Sequence, residues 1–118
     1  MNVLDSIVTQ AASIASLRRD IHAYPELCFQ EVRTADLVAT KLTEWGIPIH
    51  RGLGTTGVVG IVKSGTSSRA IGLRADMDAL PMQEFNTFDH ASKHAGKMHA
   101  CGHDGHTAML LAAAQHFS

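Results

Sequence analysis

Apolar residues return at helical spacing twice in the first half of the chain. Ile7, Ala11, Ile14, Arg18 and Ile21 fall on one stripe, with Val8 and Ala15 beside it. That spacing predicts an amphipathic helix, with Asp5 or Ser6 placed to cap its start and Pro25 forcing a break after His22. Ala35, Val38, Ala39, Leu42 and Trp45 predict a second helix from about Glu31 to Trp45, and Gly46 suits its C-terminal cap. The period then shortens. Ile47 to His50 reads as a short extended piece, and the β-branched run Val58, Val59, Ile61, Val62 reads as a strand ended by Ser64–Ser68. Ala70–Arg74 is a third strand candidate, and its short polar connection to the preceding strand predicts a hairpin. Residues 82–100 are polar and irregular, and a long loop inside a compact domain usually carries function. Helical spacing resumes at Thr107, with Met109, Leu110, Ala113, Ala114 and Phe117 on one face and Asp104 or Thr107 as a cap.

This helix reaches Ser118 with no Gly, Pro or polar tail behind it, which reads as a domain cut in mid-element. A terminal helix that frays gives the same pattern. There is no internal repeat and no low-complexity segment.

Composition narrows the class. The chain has 118 residues, 45% of them hydrophobic and 18% charged, the balance of one soluble domain with a modest core. The formal net charge of −1 and the lack of a basic stripe argue against a nucleic-acid partner. The N-terminus has no basic segment before its apolar residues, so no signal peptide is expected. The apolar runs are too short to span a bilayer, so no membrane partner is expected. Two cysteines, Cys28 and Cys101, are too few for a disulfide framework, and a reduced, cytoplasmic setting follows as the default.

The chemistry is concentrated in His99–His106. Three imidazoles, a thiol and a carboxylate share that stretch with two glycines and an alanine. Packing gives no reason for such a concentration, whereas transition metals recruit Cys and His. Cys101 and His103 flank one glycine and can reach a common ion. They do not complete a site alone, and His99, His106, Asp76 and Asp104 are the local candidates to join them. The alternative is a structural cysteine beside surface histidines. Asp76 and Asp78 follow the strand candidate that ends near Arg74, where α/β sheets build their sites. Two apart in extended chain, both carboxylates point to one side, placed to orient a ligand histidine or neutralise a metal. The alternative is an ion pair with Arg74. Gly52–Gly57 matches G-x-G-x-x-G, and Asp76 follows about twenty residues on, as in dinucleotide sites. Strand residues continue directly after Gly57, so a turn between strands explains the glycines better. Cys101 as a covalent nucleophile is the weaker reading, because such Cys–His pairs usually meet across the fold.

Three segments carry a resemblance: Arg18–Leu27 (RRDIHAYPEL), Arg74–Pro81 (RADMDALP) and Met98–Ala108 (MHACGHDGHTA). Together they resemble the aminoacylase/carboxypeptidase-type metallopeptidases. The nearest branch is that of the amidohydrolases, which includes hippurate hydrolase, N-acyl-amino-acid deacylases and auxin-conjugate hydrolases. The likeness runs from Arg18 to the end. It implies an α/β fold, the N-terminal part of a three-layer α/β/α zinc-peptidase-like catalytic domain, with two N-terminal helices, a few strands and a C-terminal helix. It implies that residues 1–118 are a partial catalytic domain, the lid and dimerisation domain and the rest of the catalytic domain being absent. It places metal on Cys101 and His103, with Asp76 and His106 as additional candidates and Asp78 as an orienting carboxylate. His22 and Glu26 match the family's His-x-x-Pro-Glu motif without an assigned role. Tyr24 and Cys28 depart from the family's pattern, where a second His and a Gly are expected.

The function so implied is metal-dependent hydrolysis of the amide bond of N-acyl amino acids, with one or two manganese or zinc ions. No residue of the chain matches the family's general base, so the chain alone is expected to be inactive. The competing readings are a small metal-binding or oligomerising module, self-associating through an unfinished sheet edge, and a nonfunctional remnant of a longer hydrolase.

Overall fold

The computed structural model describes residues 3–118. The order of elements is α1 (Asp5–Ala23), α2 (Val32–Glu44), β1 (Ile49–Leu53), β2 (Gly57–Gly60) and α3 (His103–Phe117). α3 packs chiefly along α1 and less extensively against α2, which in turn carries the β1–β2 hairpin.

The core forms where the three helices meet. Val38 and Leu42 of α2, Ile47 in the connection after it and Leu111 of α3 are buried together, and Leu17, Trp45, Ile49, Val58, Met77 and Ala114 close around them. The apolar face of α2 is the predicted one: Ala35, Val38, Ala39 and Leu42 are all buried. Gly46 ends the helix at φ 73°, and Ile47 N–H returns to the Leu42 carbonyl. β2 lies close enough to this face that a side chain at Gly60 would press on Leu42 and Ile47.

Two helix faces differ from the sequence expectation. In α1 the half-buried line is Ile7, Gln10, Ile14, Leu17 and Ile21, whereas Ala11 and Arg18 are exposed. Leu17 and Gln10 complete a seven-residue repeat against α3, which turns the helix slightly from the predicted stripe. In α3 the buried positions are Asp104, Thr107, Ala108 and Leu111, while Met109 and Phe117 are largely exposed. An apolar stripe drawn on hydrophobicity alone misses this face because two of its four members are polar and buried by hydrogen bonding.

The caps differ too. α1 starts after Leu4 with no side-chain cap from Asp5 or Ser6. α3 starts after Gly102, which is left-handed at φ 95°, and neither Asp104 nor Thr107 caps it. α2 is capped from a distance. The Glu26 carboxylate accepts the N–H groups of Arg33 and Thr34 at 2.9 and 2.7 Å, and the Thr34 hydroxyl at 2.7 Å. A negative charge at the start of a helix also complements its dipole.

The hairpin forms between β1 and β2, antiparallel, with Gly52–Gly57 as its turn. Gly52, Gly54 and Thr55 have positive φ there, so these glycines serve a turn. The expected third strand, Ala70–Arg74, pairs with no segment among the described residues. Its Ile71 and Leu73 are 86% and 66% exposed. A strand exists only through its ladder to a neighbour, and this segment has none among the described residues. Beyond it, Leu27 bridges Ala79 in parallel and Leu80 bridges Met98 in antiparallel fashion. These bridges anchor the ends of the irregular 82–100 loop. Lys93 N–H and His94 Nδ1 donate to the carbonyls of Ala23 and Pro25, lacing that loop onto the exit of α1. No helix of the described residues is long and apolar enough to cross a membrane.

Replacing Glu26 by Ala removes the cap of α2 and strands the fully buried Thr34 hydroxyl. The expected loss is about 1–2 kcal/mol of unfolding free energy, read by urea titration; a loss below about 0.3 kcal/mol would show that Glu26 does not cap α2.

Candidate metal centre

The 74–79 segment lies against the first turn of α3. Thr107 holds the two together, its hydroxyl donating to the Asp76 carbonyl at 3.0 Å. This brings Asp76, Asp78 and His103 into one corner, where one ligand atom from each lies within 4.8 Å of the others. Zinc takes N and O ligands at about 2.0–2.2 Å, so opposite ligands of one ion stand about 4 Å apart. The three side chains are therefore grouped on the scale of a single ion.

His103 Nδ1 is 2.9 Å from the Asp78 carbonyl and 2.9 Å from its Oδ1. A carbonyl oxygen only accepts, so Nδ1 carries the hydrogen. In the neutral ring Nε2 then keeps its lone pair. A carboxylate on one ring nitrogen and a free lone pair on the other is how proteins prepare an imidazole for a metal. Asp76 is also paired with Arg74, Nη2 to Oδ1 at 2.5 Å, but that arginine is 85% exposed, so the pair contributes little. The donor set of two carboxylates and one imidazole suits a borderline or hard divalent cation.

Cys101 and His106 stand outside this group of three. Cys101 is exposed and unbridged, and the His106 ring lies 5.6 Å from that of His103. Cys28 is exposed and within the field of the corner. Desolvation, followed by the charges of Asp78, Glu31 and Asp76, pushes its thiol above the ordinary value.

Behind the corner is a second, buried set of charges. His22, at the end of α1, lies between two carboxylates. Its Nδ1 is 2.9 Å from Asp104 Oδ2 and its Nε2 is 3.0 Å from Glu84 Oε1. Both carboxylates are 1% exposed and the imidazole 12%. Glu84 also accepts from Asn86 Nδ2 and from the Ser92 N–H, and Asp104 accepts from Arg18 Nε. Burial by itself would lower the His22 pKa, but the bonds to Glu84 and Asp104 and their charges outweigh it and raise it. Burial would raise Glu84, but the bonds from Asn86, His22 and Ser92 hold it below the usual range. Burial would likewise raise Asp104, which His22, the Gly105 N–H and Arg18 hold low. His99 is the opposite case. It is 4% exposed with neither ring nitrogen paired among the described residues, and burial lowers its pKa.

Of the residues singled out from sequence, the fold brings together Asp76, Asp78 and His103 at the corner, and His22 and Asp104 behind it. Glu26 belongs to the cap of α2. Glu84 was missed altogether. It lies in the irregular loop, and no period or motif marks it; only its burial against His22 reveals it.

Comparison with known proteins agrees with these features. Residues 72–118 match the family described as Peptidase family M20/M25/M40. The hippurate hydrolase of Campylobacter jejuni is 49% identical over 118 residues, which is 100% of this chain and 31% of that protein. The N-acyl-L-amino acid amidohydrolase of Geobacillus stearothermophilus is 49% identical over 106 residues, 89% of this chain and 28% of the relative. The crystal structure of the Bacillus subtilis YXEP protein, titled a dinuclear metal binding peptidase from the M20 family, superposes with a TM-score of 0.87. It is 41% identical, over 92% of this chain and 31% of that one. The chain thus spans about a third of the length of these relatives.

The buried triad makes stability depend on pH in a defined way. The raised His22 contributes fully below its unfolded value of about 6.5 and loses that contribution as pH climbs through the raised folded value. Glu84 and Asp104 contribute above about pH 4 and lose it as pH falls through their lowered values. His99, lowered, works the other way from His22, its contribution being lost on acidification. Comparing the chain with His22→Gln leaves the main cause of the His99 effect, its burial, in both proteins. The difference in Tm is expected to be largest at roughly pH 5–6.5 and to shrink on either side; a difference that widens from neutral to alkaline pH contradicts this assignment.

Proposed function

Given that the chain belongs to peptidase family M20/M25/M40, we propose that its corner is one part of a divalent-metal centre for hydrolysing the amide bond of N-acyl amino acids. The observation that carries this reading is His103, whose Nδ1 donates to Asp78 while Asp76 stands alongside. In it, Cys101 and His103 hold the metal, Asp76 and His106 are the additional candidates, and Asp78 orients the His103 ring. When bound, a manganese or zinc ion supplies Lewis-acid polarisation of the amide carbonyl.

The chain's own residues account for binding and orientation. Asp78 keeps the hydrogen of His103 on Nδ1. Asp76 adds negative charge next to it, and Cys101 brings a soft ligand from the turn before α3. Hydrolysis also needs a group that carries a proton from water to the leaving amine. No residue of the chain matches the family's base for that step. Residues 1–118 therefore supply part of a catalytic domain, and this chain alone binds metal weakly and does not turn over substrate. Two unbridged cysteines fit a reducing, cytoplasmic setting.

One observation favours a second reading. Ile71 and Leu73 lie exposed on a segment of strand composition without a strand partner among the described residues, and such an edge invites association. The second reading is a metal-binding module that self-associates through residues 70–74.

Both readings are tested by metal uptake and by hydrolysis of hippurate and N-acetyl amino acids with added manganese or zinc. Uptake without turnover is expected, with affinity falling at least tenfold in Cys101→Ala and in His103→Ala, on the order of or beyond the loss for a supporting residue. Metal-dependent hydrolysis that is lost in Cys101→Ala would overturn the expected inactivity and point to a site completed by self-association. A chain that takes up neither metal would overturn the metal reading.

A further inference from the structure

We propose that His22 is a positioning residue for His103: braced by Glu84, it holds Asp104, and thereby sets the first turn of α3 so that His103 faces Asp76 and Asp78. This rests on the metal reading above and gives a role to residues that the reading leaves unused.

The start of α3 is not set locally. It follows a left-handed Gly102 and has no side-chain cap, so its direction depends on tertiary contacts. There are three. His103 Nδ1 donates to Asp78, and Thr107 donates to the Asp76 carbonyl. The third is Asp104, fixed to His22 Nδ1 and Arg18 Nε. The first two involve the acidic segment itself. Asp104 alone ties the turn to the body of the molecule through α1. Neighbouring residues on a helix project about 100° apart, so holding Asp104 inward determines where His103 points.

His22 is built for this task. Carboxylate oxygens face both ring nitrogens, so the ring donates in two directions along one axis. Glu84 is itself restrained by Asn86 and the Ser92 N–H, which makes it a fixed backstop. The other charged or titratable groups around His22 are Arg18 on the shared Asp104, His90 with its ring at 5.8 Å, and His99 at 6.3 Å; Phe88 lies at 5.9 Å. A buried ion pair is poor evidence for added stability, and its better-attested use is to specify one arrangement.

The test compares His22→Gln with Glu26→Gln, which weakens the cap of α2 instead. Two readouts are taken on folded chain: manganese and zinc affinity by calorimetry, and the tautomer of His103 from its ring 15N shifts without metal. For His22→Gln we expect a roughly 10–100-fold weaker affinity and loss of the single Nδ1–H tautomer of His103. For Glu26→Gln we expect lower stability with both readouts unchanged. If both variants move both readouts in step with their stability loss, or if His22→Gln leaves the His103 tautomer as in the parent, the proposal is overturned. If the parent chain binds no metal, the metal reading fails, and the tautomer comparison still decides the positioning role. If His22→Gln does not fold, Glu84→Gln is judged by the same criteria.

Discussion

Asp104 occupies the first turn of α3 with 1% of its side chain exposed, and an ionised carboxyl cannot stay there without partners. Two donors keep it charged, His22 and Arg18, both on its Oδ2. Both donors sit on α1 and Asp104 on α3, the two helices that share the most extensive packing among the described residues. The charge therefore holds the helices in register, while the apolar cluster around Leu42 and Leu111 supplies the burial. Hydrophobic packing alone is non-directional and would tolerate α3 sliding along α1. The Asp104 network does not.

The irregular 82–100 loop joins this network rather than covering it loosely. Glu84 gives the second carboxylate to His22, and the same loop donates to the carbonyls at the exit of α1. A segment with little regular structure is thus ordered by hydrogen bonds to groups that a helix end leaves without partners. The corner of Asp76, Asp78 and His103 is built on the same turn. Structure and candidate chemistry share one stretch of backbone.

The molecule is less complete at its edge. Residues 70–74 leave apolar side chains exposed, although their composition is that of a strand. The relatives are about three times as long as the chain, and a strand interior to a larger sheet would show this composition. In this chain the segment still delivers Asp76 and Asp78 to α3, because the bridges at Ala79 and Leu80 and the bond from Thr107 fix its far end.

Much of this was legible in the sequence. Pro25, Gly46 and the Gly52–Gly57 run marked the breaks and turns, since these residues act through local backbone geometry. The apolar face of α2 was read from period alone, and the crowding of His, Cys and Asp around Cys101 pointed to metal chemistry through composition. The pairings were not legible. Nothing local distinguishes Asp104 as a buried partner from Asp104 as a cap, or draws notice to Glu84. Leu17 replaces Arg18 on the packed face of α1 for reasons that lie in α3. Ala70–Arg74 has strand composition but lacks the neighbour that would make it one. Backbone preference resides in single residues and short spacings, as does the choice of side chains able to bind metal, so both can be read without the fold. Which carboxylate meets which imidazole depends on contacts between distant segments, and only the packing of α1, α3 and the 82–100 loop decided it.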